Sequence, residues 1–256
     1  MNLELEREFK ELVSQPQEVE QICRTAVEGW RAIFNREIFL ENLQKYKKLI
    51  AIAEPSEDER AELSAIFKYF KDVRKASQYL RTAYITFDVA HEEPENFHSF
   101  VWQLGQLKDT FKYPEKSIPH ADILANILSA PVSWGENQLR PDAIEKILDY
   151  ARQPLDRART LIQEETLSAE DFHHLRKKLR VFSIIYTLAV KYGRLGKVKE
   201  MKELLVKIND DLGDINDEMV QRSVEGIQRY EEHSVTLEQQ VRRNIQLVLM
   251  GQQEEQ

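Results

Sequence analysis

An apolar seam constrains this chain more than any other feature. Leu63, Ile66, Phe70, Val73, Ser77, Leu80, Tyr84 and Phe87 follow one another at steps of three and four. On a helix of 3.6 residues per turn that spacing makes one stripe, and the stripe must be buried against other helices. Ser56 and Glu59 stand just before it at the spacing of a capping box. There the serine side chain meets the backbone N–H of the glutamate, and the glutamate reaches back to that of the serine. A long, capped helix with such a seam is built for a helical bundle.

The rest of the chain reads the same way. A short amphipathic helix is expected over 3–14 and a long one over 18–52, kinked near Gly29 and Asn35 and ended by Pro55. Glu93-Pro94-Glu95 closes the seam helix, and another helix follows over 96–113. Residues 114–140 hold Pro114, Pro119, Pro131 and Gly135, so they read as an irregular connection with a short helix near 119–129. Pro141-Asp142 opens the next helix, to about Glu165, with proline tolerated in a first turn. Ser168 with Asp171 caps a helix running to Tyr192, where Gly193 stops it. Helices over 196–212, 214–232 and 235–250 complete the pattern, and the tail from Gly251 is expected to fray. No stretch alternates with a period of two, so no sheet is expected. With only 8 Gly and 8 Pro in 256 residues, and 42% hydrophobic residues, long helices and a sizeable core are both supported.

Several function classes are disfavoured. No apolar run is long enough to span a bilayer, and the start of the chain is charged rather than signal-like. One cysteine, Cys23, excludes an internal disulfide framework and points to a reducing, cytoplasmic setting, with Cys23 itself a core residue. A net charge of −8 argues against a general nucleic-acid binder. Screening acts over about 8 Å, however, so a local basic patch works on an acidic protein.

Such a patch exists at Phe172-His173-His174-Leu175-Arg176-Lys177-Lys178-Leu179-Arg180. Wound as a helix, Leu175, Leu179, Phe182, Tyr186 and Ala189 face a core, while His173, Arg176, Lys177 and Arg180 share another arc. Lys178 points elsewhere, toward solvent. Beyond Arg180 that arc continues through Ser183, Ile184 and Thr187, as if buried. From 173 to 202 there are nine Lys plus Arg against one acid, Glu200, a local charge of +8. Arginine grips phosphate oxygens in pairs, lysine adds point charge, and a histidine at the edge gains charge near a polyanion. A basic arc is equally the pattern of a merely solvated helix face.

A weaker copy precedes it. Phe70-Lys71-Asp72-Val73-Arg74-Lys75 aligns with Phe172 to Lys177 at an offset of 102, and Leu104-Gly105-Gln106-Leu107-Lys108-Asp109 aligns with Leu212-Gly213-Asp214-Ile215-Asn216-Asp217 at an offset of 108. Two matches in one order suggest an internal repeat. Lys68, Lys71, Arg74, Lys75 and Arg81, against Asp72, would then form a second basic face, and the two faces together would suit an extended polyanion.

The remaining polar residues carry less. The carboxylates of 210–218 invite a magnesium site and a metal-dependent phosphohydrolase, but their spacing fails a calcium loop and no general base accompanies them. Gly213 reads as a close approach or a helix break, with Asp214 or Asp217 capping the next helix or pairing with a basic residue. His91, His98, His120 and His233 lack any ligand spacing and read as capping or surface residues. No catalytic set, metal site or cofactor is expected.

The unit His173-x-x-Arg176-Lys177-x-x-Arg180, followed by a helix and then Leu212-Gly213-Asp214-Ile215-Asn216-Asp217, resembles the CHAD family, the conserved histidine α-helical domains. The resemblance is carried mainly by about 168–220. It implies an all-α fold of two tandem, pseudo-symmetric, four-helix-like bundles in one domain over 1–250, with halves at about 1–113 and 141–250. It further implies contacts to inorganic polyphosphate, or another phosphate-rich anion, from His173, Arg176, Lys177 and Arg180, and more weakly from Lys71, Arg74 and Lys75. The first copy departs from the family pattern, with Lys71 in the histidine position, Gln78 where Arg180 stands, and Lys108 before Asp109. Ser183 also occupies an often basic position. The alternative expectation is a helical scaffold for protein partners.

Overall fold

The structure is a computed structural model that describes residues 4–52, 54–112 and 139–251. These fold as an all-α protein. The helices are α1 (Leu5–Leu12), α2 (Pro16–Ile33), α3 (Arg36–Leu49), α4 (Glu57–Phe87), α5 (Phe97–Lys112), α6 (Ile144–Gln163), α7 (Ala169–Lys191), α8 (Lys197–Val224) and α9 (Gln239–Met250). The seam is the backbone of α4. Ile66, Phe70, Val73, Ser77, Leu80, Tyr84 and Phe87 are all buried along it. Ser77, the polar member of the seam, satisfies its buried hydroxyl by donating to the carbonyl of Val73, 2.7 Å away. The capping box forms as read, with Ser56 N–H donating to Glu59 Oε2 at 2.7 Å and Glu59 N–H donating to Ser56 Oγ at 3.3 Å.

Three expectations differ from what is observed. The long helix of 18–52 is two helices, because Asn35 leaves helical geometry (φ −120°, ψ 126°) and its side chain accepts the N–H of Ile38 to start α3. Gly29, expected at a kink, lies inside α2. Gly213 does not break a helix either. Residues expected as two helices are one, α8, whose buried stripe Met201, Leu205, Ile208, Leu212 and Met219 runs through that point. A glycine costs a helix about 1 kcal/mol, while burying each aliphatic side chain on that stripe returns about 1.5–3 kcal/mol. Lastly, a minimal antiparallel pair does form, β1 (Leu167–Ser168) against β2 (Ser234–Val235). Two residues are too few to show a period, and the pair serves to hold the entry of α7, where Ala169 N–H donates to His233 O at 3.1 Å. The expected short helix near 119–129 and most of the expected connection lie outside the described residues.

The chain divides into two compact units. The first joins Met1–Thr25 to Pro141–Gln256, and the second is Ala26–Arg140. The first helix therefore belongs with the later part of the sequence, not with a half spanning 1–113. The reason is physical: Phe9 meets Phe182 edge-on at 5.5 Å, and Arg159 of α6 pairs with Glu6 at 2.8 Å and Glu4 at 3.5 Å. In this unit α7 packs on α6 and α8, and α9 closes over α6 and α8. Arg242 of α9 donates to the carbonyls of Ile162, Glu164 and Glu165 at 2.7–2.8 Å, capping the end of α6, whose last carbonyls have no helical partner. In the second unit α4 packs on α3 and α5 around an aromatic cluster of Trp30, Phe34, Phe39, Phe70 and Phe100.

Candidate functional site

The basic stretch forms the first turns of α7, positioned by the Ser168 cap, whose hydroxyl accepts the N–H of Asp171. Leu175, Leu179, Phe182, Tyr186 and Ala189 are buried, and so are Ser183 and Ile184 where the basic arc gives out. Helical geometry thus confines the cationic arc to residues 173–180. Within it the side chains differ. Lys177 is exposed, whereas His173, Arg176 and Arg180 are half-buried. Lys178, expected in solvent, is half-buried as well.

Burial lowers the pKa of His173, and Lys177, Arg176, His174 and Arg180 lower it further, in that order. The imidazole therefore lies within the field of several cations. At neutral pH it is held toward its uncharged form, and an arriving anion would favour its protonation.

Arg176 is the member that departs from expectation. Its guanidinium packs toward α8, where Nη2 lies 3.9 Å from the place a Cβ on Gly213 would occupy. Burial lowers its pKa, opposed by Asp217 and Tyr230. Its Nε meets no hydrogen-bond acceptor among the described residues. Tyr230 in turn donates its hydroxyl to Asn216 Oδ1 at 3.1 Å. Gly213 thus acts as a close approach, one of its two expected roles, and Asp217 faces a basic residue rather than capping a helix. Asn216 belongs to the motif that follows the basic stretch, but Tyr230 was not legible as part of this site. Tyr230 lies after the turn at Gly226, in a short 3-10 segment with no periodicity to place it.

The +8 segment does not act as one patch. Beyond α7, Arg194 pairs with Glu18 at 3.3 Å, Lys197 approaches Glu8 at 3.9 Å and Lys199 approaches Glu203 at 3.9 Å. Tyr192 also donates its hydroxyl to Glu18. The acids come largely from α1 and α2, far away in sequence, so the local count could not reveal them.

In the second unit, Lys71 and Lys75 are exposed on α4. Arg74 packs on α5, with Nε and Nη2 both 3.4 Å from the place of a Gly105 Cβ. The two basic faces belong to different units.

The carboxylates of 210–218 do not make a metal site. They ride one continuous helix, which sends Asp210, Asp214 and Glu218 to solvent and turns Asp211 and Asp217 partly inward. No group of three or more His, Cys, Asp or Glu residues fit to hold a metal occurs among the described residues. His233, read as capping or surface, is buried, and its Nε2 meets no partner there. His91 does close α4, its ring nitrogen lying 3.0 Å from the carbonyl of Ile85. His120 lies outside the described residues. Cys23 is buried, as a core cysteine should be. No helix among the described residues is long and apolar enough to cross a membrane.

No family model matches this chain, and neither curated proteins nor solved structures show a match to it.

Proposed function

We propose that this chain is a non-catalytic, CHAD-like module that binds a phosphate-rich polyanion, with inorganic polyphosphate the best candidate. The observation that carries the reading is that His173, Arg176, Lys177 and Arg180 share one arc on the first turns of α7, with the three cations close enough to act on the His173 imidazole. Cations gathered on one helix face hold His173 toward its uncharged form and favour an approaching anion. His173, Lys177 and Arg180 are the proposed contacting residues. Arg176 is proposed to support the face from beneath, against Gly213. Lys71 and Lys75, with Arg74 seated on Gly105, form the weaker second face. No cofactor enters this reading, and a cytoplasmic setting accompanies it. The tandem, pseudo-symmetric arrangement of two four-helix-like bundles belongs to the same proposal. Its support is the recurrence of an arginine on one helix against a glycine on the next.

A polyphosphate gel shift across a salt series tests the proposal. Binding should weaken steeply as salt rises, through counterion release. Charge reversal of Lys177 and Arg180 together should abolish the shift, and an unchanged shift in that double variant would sink the assigned face.

A second reading, a helical scaffold for protein partners, is favoured by one observation: Trp102 is 54% exposed on α5. Exposed tryptophans are enriched at protein interfaces. No polyphosphate shift even at low salt, with a protein partner captured by the wild type and lost on Trp102→Ala, would favour it.

A further inference from the structure

In the second unit Arg81, expected on the basic face of α4, is instead held in a cluster of its own. Arg81 lies seven residues after Arg74 and so on the same side of α4. Its Nη2 is 2.7 Å from Glu93 Oε1 and 3.2 Å from His98 Nδ1. Glu93 Oε1 is itself 3.3 Å from His98 Nδ1. One carboxylate oxygen thus sits between a guanidinium and an imidazole. The pairing is incomplete, because Arg81 Nε and Glu93 Oε2 are both buried and meet no hydrogen-bond partner among the described residues. An arginine and a carboxylate free to choose would form two parallel bonds, and here they form one.

The chain between α4 and α5 imposes this geometry. Asp88 holds one end of it, accepting the N–H of Ala90 at 3.0 Å and of Arg140 at 2.8 Å. His91 and Asn96, on either side of Glu93, adopt left-handed backbone conformations at φ 50° and φ 63°. Histidine and asparagine are among the residues that enter this region most readily, and here they turn the chain on both sides of Glu93. These turns, with the Asp88 contacts, carry the connection to the place where Glu93 meets Arg81.

We propose that Arg81 and His98 form a site for a phosphate oxyanion, and that Glu93 is its built-in occupant. The Glu93 oxygen stands where a phosphate oxygen would bind. A tetrahedral anion can do what Glu93 does not, taking Arg81 Nε and Nη2 together. His98 supplies the third contact. Its ring accepts from Arg81 when neutral and becomes a donor to the anion when protonated. Its side chain is 67% exposed, against 16% for Glu93 and 33% for Arg81, so the site opens to solvent on the histidine side. The internal carboxylate sets the affinity, because an incoming phosphate has to displace a charge-assisted hydrogen bond. Removing the Glu93 charge exposes the site.

The experiment is a titration of the full chain with inorganic phosphate, read by the ring signals of His98 and by calorimetry. In the wild type the His98 signals shift saturably with phosphate and not with chloride at matched ionic strength. Glu93→Gln tightens phosphate binding by roughly ten- to a hundredfold, the range expected for losing one charged competitor. Arg81→Ala in that background removes the gain. A Glu93→Gln protein that binds no tighter, or a gain that survives Arg81→Ala, overturns the proposal. Should Glu93→Gln fail to fold, the wild type still decides: His98 signals that stay fixed up to about 0.1 M phosphate, where screening is matched by chloride, overturn it. An equal gain with phenyl phosphate assigns the site to a phosphate monoester, and a gain with inorganic phosphate alone assigns it to the free anion. Charge reversal at Lys177 and Arg180 leaves these results unchanged, so failure here and failure of the polyphosphate reading are separable.

Discussion

Arg176 on Gly213 and Arg74 on Gly105 are the same device in two separate units, and they differ in closeness and company. Arg74 comes within 3.4 Å of where a Cβ on its glycine would stand, and Arg176 within 3.9 Å. Arg176 has Asp217 and Tyr230 to oppose its burial and lies among the cations of 173–180. On the face of Arg74, Gln78 stands at the place of Arg180, and the next cation, Arg81, is held by Glu93. The packing half of the pattern is thus kept in both units, while the charged half is concentrated in one. A glycine facing an arginine reports how two helices approach. It does not by itself report a ligand.

The largest effect that would test the parallel is alkaline unfolding, because both units bury tyrosines. Tyr186 and Tyr192 in the first unit have pKa values raised by burial and then by acids, Glu8 and Glu11 for one, Glu18 for the other. In the second unit burial, then Asp88, pushes Tyr84 up to about 12, and burial also raises Tyr69 and Tyr79. Unfolded tyrosines lose their protons near pH 10 while these keep theirs, so the folded state binds more protons above that pH. Stability is therefore fully present below about pH 10 and falls as pH rises through 12. Denaturant midpoints measured across that range should drop, and Tyr84→Phe or Tyr192→Phe should flatten the drop for its own unit. A midpoint that stays level to pH 12 contradicts the burial of these phenols.

Next comes the charged half of the comparison. Reversing Lys177 and Arg180 should weaken polyphosphate binding by about a hundredfold or more, taking roughly 1.5–3 kcal/mol per charged contact. Reversing Lys71 and Lys75 should cost clearly less. Equal losses would mean that the two faces contribute alike and that the contrast is wrong.

The shared half is tested by truncation. Arg176→Ala leaves Asp217 without its buried counter-charge and should destabilise by about 2 kcal/mol, measured by urea denaturation. Arg176→Met should recover part of this, since the aliphatic stem also packs. The smallest effect is at the glycines. Gly213→Ala should stabilise by up to about 1 kcal/mol, because alanine favours the helix and 3.9 Å is ordinary contact. Gly105→Ala should gain less, because the Arg74 guanidinium must shift to admit the methyl group. A larger gain at Gly105 than at Gly213 would invert the order of closeness.

Periodicity made the helices legible. The α4 seam, the Ser56 box, the Ser168 cap and the inward face of α7 were all readable because each depends on residues within a few positions of one another. Gly213 misled because a glycine looks the same from the sequence whether it ends a helix or admits a neighbour. The surroundings of Arg176 were half-readable. Gly213, Asn216 and Asp217 stood within one motif, whereas Tyr230 had no pattern to mark it. The neutralisation of Arg194 and Lys197 was invisible, since Glu18 and Glu8 lie about 180 residues earlier in the chain.

By itself, then, the amino-acid sequence determined the class of fold, most helix limits and the arc on which His173, Arg176, Lys177 and Arg180 lie. These follow from local geometry, in which spacing along the chain is spacing in space. Only the tertiary structure decided that residues 1–25 fold with 141–256, that Arg176 turns onto Gly213, that the +8 segment is divided by acids from α1 and α2, and that Glu93 rests on Arg81. Each of these depends on which distant segment comes to lie against a given face. Burial free energy and charge complementarity settle that over the whole packed unit, and no local spacing encodes it.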